Sequence, residues 1–319
     1  MKIPVQLFDK TGKFIVNVGG FGKGPGEYST SILCMQLDED NNRIYLYPCF
    51  TDQIKIYDLQ GNYLDLIQLP CRVVHCWFHV NSEEETVVVF APALKNYKPS
   101  KMAGHNFSAP LYCAWIQKFT GEVIQNITSD LYGFDKINKS ISAYGVYTRN
   151  NTKIPDVYFT ANEAMTDSLY HYDAINNKLI PMFTVDFKNK EIPRHFYWEL
   201  PNHYLCDTYE VQELIKGADV IINNFKIFII DKTTLKGAYL KLFIDFCGNI
   251  ELGIDRDLKF FFTNGYFILN WETAVLLEKL ETVLEKNRIS PEIRKKLTDL
   301  KYSIKETDNN CILYAKLKR

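Results

Sequence analysis

Leu7-Phe8-Asp9-Lys10-Thr11-Gly12-Lys13-Phe14 returns later in the chain as Ile56-Tyr57-Asp58-Leu59-Gln60-Gly61-Asn62-Tyr63, with Asp9 to Asp58 and Gly12 to Gly61 each 49 residues apart. Each copy runs as a strand into Asp, turns where glycine supplies positive φ, and resumes as a strand, which is the pattern of a β-hairpin. Weaker copies follow. Residues 117–124 turn at Gly121, Tyr172-Asp173 is followed by Asn176-Asn177 in place of glycine, and Ile230-Asp231 is followed by Gly237. A repeat near fifty residues with about four strands per copy is the signature of propeller blades.

Working outward, each hairpin is preceded by two further short strands. For the second copy these are residues 32–37 and 43–47, joined by the polar turn Asp38-Glu39-Asp40-Asn41-Asn42. The next unit uses 75–80, 86–91, 111–117 and 122–127; a third spans 141–186; a fourth, roughly 194–245, contains 204–209, 225–231 and 238–244. A last one opens with 258–262 and 266–270 and is then interrupted. The expectation is an all-β, six-bladed β-propeller in one domain. Residues 1–30 form a partial first blade, 31–250 blades two to five, and 251–319 the last, with helices within 272–305.

The interruption is helical. Leu276, Leu280, Val283 and Leu284 fall at i, i+4, i+7 and i+8, the stripe of an amphipathic helix. A second helix opens with Ser290 as N-cap, Pro291 in the first position and Glu292 beside the positive end of the dipole, and Ile293, Leu297, Leu300 and Ile304 repeat the spacing. Arg294, Lys295 and Lys296 read as its solvated face. After the acidic turn at 306–310, residues 311–318 alternate as a strand again. A strand at the end suits a ring, which ties its last blade to its first so that no long sheet edge stays open.

Composition narrows the function. The 319 residues are 46% hydrophobic and 24% charged, with 37 Lys and Arg against 38 Asp and Glu, so the chain lacks the basic excess that phosphate-backbone binding needs. Nucleic acid is therefore not the expected partner. No window holds the apolar run of a membrane span, and Asp9 and Lys10 arrive too early for a signal peptide. Of the eight cysteines, Cys34, Cys113, Cys206, Cys247 and Cys311 sit in or beside apolar runs and read as small packing residues.

The first hairpin, followed by Gly22-Lys23-Gly24-Pro25-Gly26-Glu27-Tyr28, resembles the Bacteroides-type six-bladed β-propeller family related to NHL-repeat propellers. The tail is similar as well, although the usual Asn-Pro corner reads Asp308-Asn309-Asn310-Cys311 here. The resemblance covers nearly the whole chain. It implies an envelope lipoprotein of unknown function, in the periplasm or on the outer-membrane surface, with a binding role in place of an established reaction. Relatives place a signal sequence, a closing strand and two more strands before the first hairpin. The visible strands number twenty-one where six complete blades hold twenty-four, so the expectation is an N-terminally shortened member with an incomplete first blade.

The glycine cluster fails as a phosphate loop. A Walker reading ending at Gly22-Lys23 puts Asn17 where the first glycine belongs and Gly24 where Ser or Thr should follow. A Rossmann reading meets Pro25 and Glu27 where glycine is required. A tight turn between blades, with Glu27 capping backbone amides, accounts for the same residues. Cys71, His75, Cys76 and His79 form a metal-like spacing, but strand alternation puts His75 and His79 on one face and Cys76 on the other, so no metal or other cofactor is expected. His75, Trp77 and His79 either line a central channel open to small ligands or form a buried aromatic seam.

No G-x-S-x-G elbow or H-E-x-x-H pair is present, and the acidic pairs lie in polar turns. The long connection 92–110, carrying Lys95, Lys98, Lys101 and His105, reads as a binding loop or as decoration. The leading expectation is a monomeric, non-enzymatic module that binds a protein, peptide or glycan near Lys23, Glu27, Tyr28 and His105, with His75, Trp77 and His79 as further candidate contacts. The alternative is a hydrolase or lyase with a central metal, resembling lactonase-like propellers.

Overall fold

The computed structural model describes residues 3–73, 75–93, 100–102, 105–107, 112–134, 144–161, 167–188, 192–215, 219–245, 250–252, 260–285 and 289–318. The chain divides into two compact units. One comprises residues 1–148, 157–162 and 172–180, and the other residues 149–156, 163–171 and 181–319.

The strands make an all-β, propeller-like fold. The hairpin β1 (Val5–Phe8) and β2 (Phe14–Val18) is followed by β3 (Gly20–Phe21) and β4 (Glu27–Tyr28), a short parallel pair. The first four-stranded sheet runs in order β5 (Ile32–Asp38), β6 (Arg43–Pro48), β7 (Gln53–Tyr57), β8 (Tyr63–Gln68). The second holds β9 (Trp77–Asn81), β10 (Thr86–Phe90), β13 (Tyr112–Lys118) and β14 (Val123–Thr128), with the small hairpin β11 (Ser100–Met102) and β12 (His105–Phe107) between β10 and β13 in sequence. After the single turn α1 (Ser129–Tyr132), the third sheet has β15 (Tyr144–Tyr147), β16 (Asp156–Ala161), β17 (Leu169–Asp173) and β18 (Lys178–Phe183).

The fourth has β19 (Arg194–Glu199), β20 (His203–Ile215), β21 (Asp219–Asp231) and β22 (Gly237–Tyr239), and β23 (Leu242–Ile244) pairs with β24 (Ile250–Leu252). The last sheet has three strands, β25 (Phe260–Thr263), β26 (Tyr266–Trp271) and β27 (Cys311–Lys316). Helices α2 (Thr273–Leu284) and α3 (Pro291–Ser303) lie between β26 and β27, which pair with each other. Ser290 caps α3 by accepting from the Ile293 amide.

Five blade sheets are present among the described residues where six were expected. The described strands of residues 1–30 are the β1–β2 hairpin and the short β3–β4 pair, and among the described residues β1 and β2 pair with each other and with no third strand. Two strands still bury one side. Val18 and Tyr28, with Val5 and Leu7, pack on Ile44, Leu46 and Tyr57 of the first sheet. Two further expectations need correction. Residues 238–244 are not one strand but two, β22 and β23, in different sheets, and β20 and β21 extend well beyond 209 and 225 into a long hairpin arm.

The repeated turn has a single physical cause. Asp9 accepts the Thr11 and Lys13 amides, Asp58 those of Gln60 and Asn62, Asp173 those of Ile175 and Asn176, and Asp231 those of Thr233 and Thr234. A short carboxylate thus closes each hairpin by satisfying amides that have no ladder partner. The third copy keeps the backbone pattern with Lys118 in the Asp position: its amide donates to the Glu122 carbonyl, as Asp9 donates to Lys13 and Asp58 to Asn62.

Alternation along the strands puts the core between sheet faces. In the first unit, Tyr45, Tyr47, Ile54, Ile56 and Ile67 pack against Phe78, Val80, Val87, Val89 and Trp115. The indole of Trp115 donates to Gln117, whose amide donates onward to the Gln68 carbonyl, so the polar edges inside this layer are partnered. In the second unit, Trp198, Leu205, Phe260, Phe262, Leu269 and Trp271 meet Leu276, Leu280 and Val283 of α2 and Leu297 of α3. The Thr273 hydroxyl donates to the Asn309 carbonyl and so holds the corner where the usual proline is absent. Among the described residues no helix is long and apolar enough to cross a membrane.

Candidate functional site

A cleft of about 800 Å³ opens in the first unit, at the tips of the β5–β6 and β9–β10 hairpins. Its walls bring together Leu37, Val88, Ile116 and Ile124, and its rim carries Asp38, Glu39, Asp40, Glu83 and Glu84. Among the described residues no Lys or Arg lines it. Leu37 and Ile124 are each about half exposed, 49% and 50%, so apolar surface faces water inside a ring of carboxylates. The rim is fixed in place: Ser82 donates to Asp38 and shares a hydrogen bond with the Tyr45 hydroxyl, and the Gln36 side chain pairs with both the amide and the carbonyl of Val80. Hydrogen bonding from Ser82 is the main reason that the Asp38 carboxyl titrates below its ordinary value.

The sequence candidates separate. On β9, Phe78 and Val80 are buried on one face while Trp77 and His79 occupy the other. His79 opens into the cleft, and the protein packed around its ring lowers its pKa by desolvation. His75 precedes the strand and is half-buried, and Cys76 is buried. Among the described residues, no three His, Cys, Asp or Glu side chains are grouped as metal ligands.

Lys23, Glu27 and Tyr28 lie in the glycine-rich turn and are absent from the cleft walls. Lys23 is exposed. Glu27 accepts the Gly24 amide at 2.8 Å, as expected of a turn cap, and a Cβ on Gly22 would stand 1.9 Å from the same carboxylate. Tyr28 is 2% exposed; its hydroxyl accepts from the Val5 amide at 2.8 Å and donates to the Val18 carbonyl at 3.1 Å. Lys55 donates to the Pro25 carbonyl and Tyr57 to that of Gly26, which bind this turn to the first sheet. His105 begins β12, and its side chain, like Lys95 and Lys98, falls outside the described residues.

A buried ionic network in the second unit went unread in the sequence. Glu199, only 2% exposed, receives Lys232 Nζ at 2.5 Å on one oxygen and His171 Nε2 at 2.5 Å on the other. Burial pushes this carboxyl up, but the hydrogen bonds from His171 and Lys232 outweigh it, and the net shift is downward. Beside it His195 pairs with Asp167, and Asp207 on β20 is sealed in without a partner for Oδ1 among the described residues. Desolvation drives the Asp207 pKa up to about 7, and the positive charge of His195 offsets only part of that.

The one available signal was alternation: His195, Tyr197 and Glu199 share a face of a strand otherwise rich in aromatic residues. This network fastens strands.

A family model described as a domain of unknown function, DUF4934, matches residues 3–316. Among solved structures, the chain is similar to a protein from Bacteroides fragilis NCTC 9343 described as exported, at 14% identity and a TM-score of 0.56, over 98% of this chain and 84% of that one. It is also similar to an auxiliary nutrient binding protein from Bacteroides thetaiotaomicron VPI-5482, at 12% identity and a TM-score of 0.39, over 83% of this chain and 65% of that one. No curated protein matches.

Proposed function

This chain belongs to the DUF4934 family, whose function is unknown, and from that footing we propose that it is a non-enzymatic binding module whose ligand is a basic, amphipathic peptide segment held in the first unit's cleft. The observation that carries this reading is the pairing of exposed Leu37 and Ile124 with a rim of five carboxylates and, among the described residues, no Lys or Arg. An aliphatic stem ending in an ammonium or guanidinium places its carbons on the former and its charge beside the latter. Of the sequence candidates, His79 serves as a ligand contact here, while Glu27 and Tyr28 hold the turn that seats the first hairpin. Residence in the cell envelope, expected from the family resemblance, belongs to the same reading, and fractionation of the native host tests it.

Calorimetry on the purified chain tests the binding. An alternating Lys/Leu peptide should bind at least ten-fold more tightly than its Glu/Leu counterpart and should weaken as salt rises, because the rim charges face water. The double variant Glu83→Lys/Glu84→Lys should lose that preference while melting at the same temperature. Equal binding of both peptides, or a preference untouched by the charge reversal, would remove the proposal.

A further inference from the structure

A second concavity, of about 410 Å³, lies wholly within the second unit and has the opposite character. Three turns build it: residues 150–153 between β15 and β16, Pro201 and Asn202 between β19 and β20, and Asn264 and Gly265 between β25 and β26. Lys316 and Leu317 close it. The turns are held from behind. Asp156 accepts the Arg149 and Asn150 amides, the Arg149 carbonyl accepts from the Asn264 amide and the Thr263 hydroxyl, and Asn151 bonds the Phe262 carbonyl and the Gly265 amide. Asn151 is therefore committed to the scaffold. The walls are preorganised, which lowers the entropy lost when a ligand is bound.

The remaining polar groups point to one chemistry. Lys153 and Lys316 line the concavity; among the described residues neither is paired with a carboxylate and no Asp or Glu shares the wall. The side-chain amides of Asn150, Asn202 and Asn264 have no hydrogen-bond partner among the described residues. Two ammonium groups alone would suit any small anion. Three amides that both donate and accept suit hydroxyl groups, which do the same. The volume lies at the small end of the range of small-molecule sites.

We infer that this concavity is a binding site for an acidic sugar, a pyranose bearing a carboxylate, with Lys153 and Lys316 meeting the carboxylate and Asn150, Asn202 and Asn264 the hydroxyls. The inference is independent of the peptide cleft, which lies in the other unit.

The test is titration of the full chain with glucuronate, galacturonate, glucose and inorganic phosphate, followed by saturation-transfer NMR. One of the two uronates should bind at least ten-fold more tightly than glucose and should not be displaced by equimolar phosphate. The variant Lys153→Ala/Lys316→Ala should reduce that affinity at least ten-fold, and Asn202→Ala/Asn264→Ala should weaken uronate binding while leaving phosphate binding unchanged. All four residues sit on or beside turns, and unchanged melting of each variant shows that the fold survives. No uronate binding, equal binding of glucose, displacement by equimolar phosphate, or full affinity in the lysine variant would overturn the inference. None of these results bears on Glu83→Lys/Glu84→Lys, so failure here and failure at the peptide cleft are told apart.

Discussion

His195 faces Asp167 with Nε2 2.8 Å from Oδ1, while its other ring nitrogen stands 2.8 Å from the Pro193 carbonyl oxygen. A carbonyl and a carboxylate only accept, so both ring nitrogens carry protons and the imidazole is cationic in the fold. Burial works against that charge, but the Asp167 hydrogen bond and its negative charge win, and the His195 pKa is raised. The folded chain therefore holds this proton more tightly than the unfolded chain. The resulting stability is complete below the ordinary imidazole value of 6.5 and is lost as pH rises through the raised value. Asp167→Asn should abolish this loss, giving a flatter profile of melting temperature above pH 6.5 and a lower melting temperature below it. A variant whose profile matches wild type throughout would count against the pair.

Asp207 acts across a lower pH range. Its carboxyl, driven up to about 7 by burial, is protonated in the fold at pH values where the unfolded chain has already ionised. Between about pH 4 and 7 the unfolded state binds fewer protons at this site, so stability falls as pH rises, with a slope of up to about 1.4 kcal/mol per unit. Asp207→Asn keeps the shape and removes the ionisation. Urea titrations at pH 5 and pH 8 should show the variant gaining on wild type at the higher pH, and an equal difference at both values would refute the assignment.

Glu199 is held by both the Lys232 ammonium and the His171 ring, so its loss is not the loss of a single surface pair. Glu199→Gln leaves the Lys232 ammonium facing a neutral amide at a largely buried position, where it recovers only part of its hydration. The expected cost is about 3 kcal/mol at neutral pH, read from denaturant unfolding. Adding Lys232→Met should restore part of it, because no ammonium is then left without its carboxylate. A double variant less stable than Glu199→Gln would contradict that coupling.

What was legible in the sequence was what is local. The Asp turn needs only residues two to four apart, so Asp9, Asp58, Asp173 and Asp231 announced their hairpins, and the stripe through Leu276, Leu280 and Val283 announced a helix that buries all three. The ionic network was illegible for the converse reason. His171 and Glu199 are 28 residues apart, Asp167 and His195 again 28, and Glu199 and Lys232 33, and only strand register brings them together. The arm of β20 and β21 was missed because Glu210, Gln212 and Glu213, paired with Asn223, Ile221 and Val220, read as loop when strand character is judged by apolar alternation. The two clefts share that origin: each is made by turns of different sheets, and no single turn carries a motif.

The hydroxyl of Tyr28 decides how firmly the first hairpin is seated. It accepts from the Val5 amide at one end of β1 and donates to the Val18 carbonyl at the end of β2, so one atom ties both strands to the glycine-rich turn. Tyr28→Phe preserves the ring contact with Phe21, centroids 5.1 Å apart, and deletes only the oxygen. The Val18 carbonyl then loses a partner in a site without water access, at a cost of about 1–3 kcal/mol. Because β1 and β2 have no third strand among the described residues, the loss should fall first on the hairpin and not on the whole sheet. Hydrogen exchange should speed at Val5 and along β1 and β2 while the amides of β6 and β7 keep their protection. Gly22→Ala reaches the same hairpin from the other side: its Cβ would strike the Glu27 carboxylate, and moving that carboxylate frees the Gly24 amide that it caps. It should raise exchange in the same strands, and Glu27→Ala in the Gly22→Ala background should add little further, since the cap is already lost. Uniform acceleration across β6 and β7 in Tyr28→Phe would show instead that the hairpin and the sheet unfold as one.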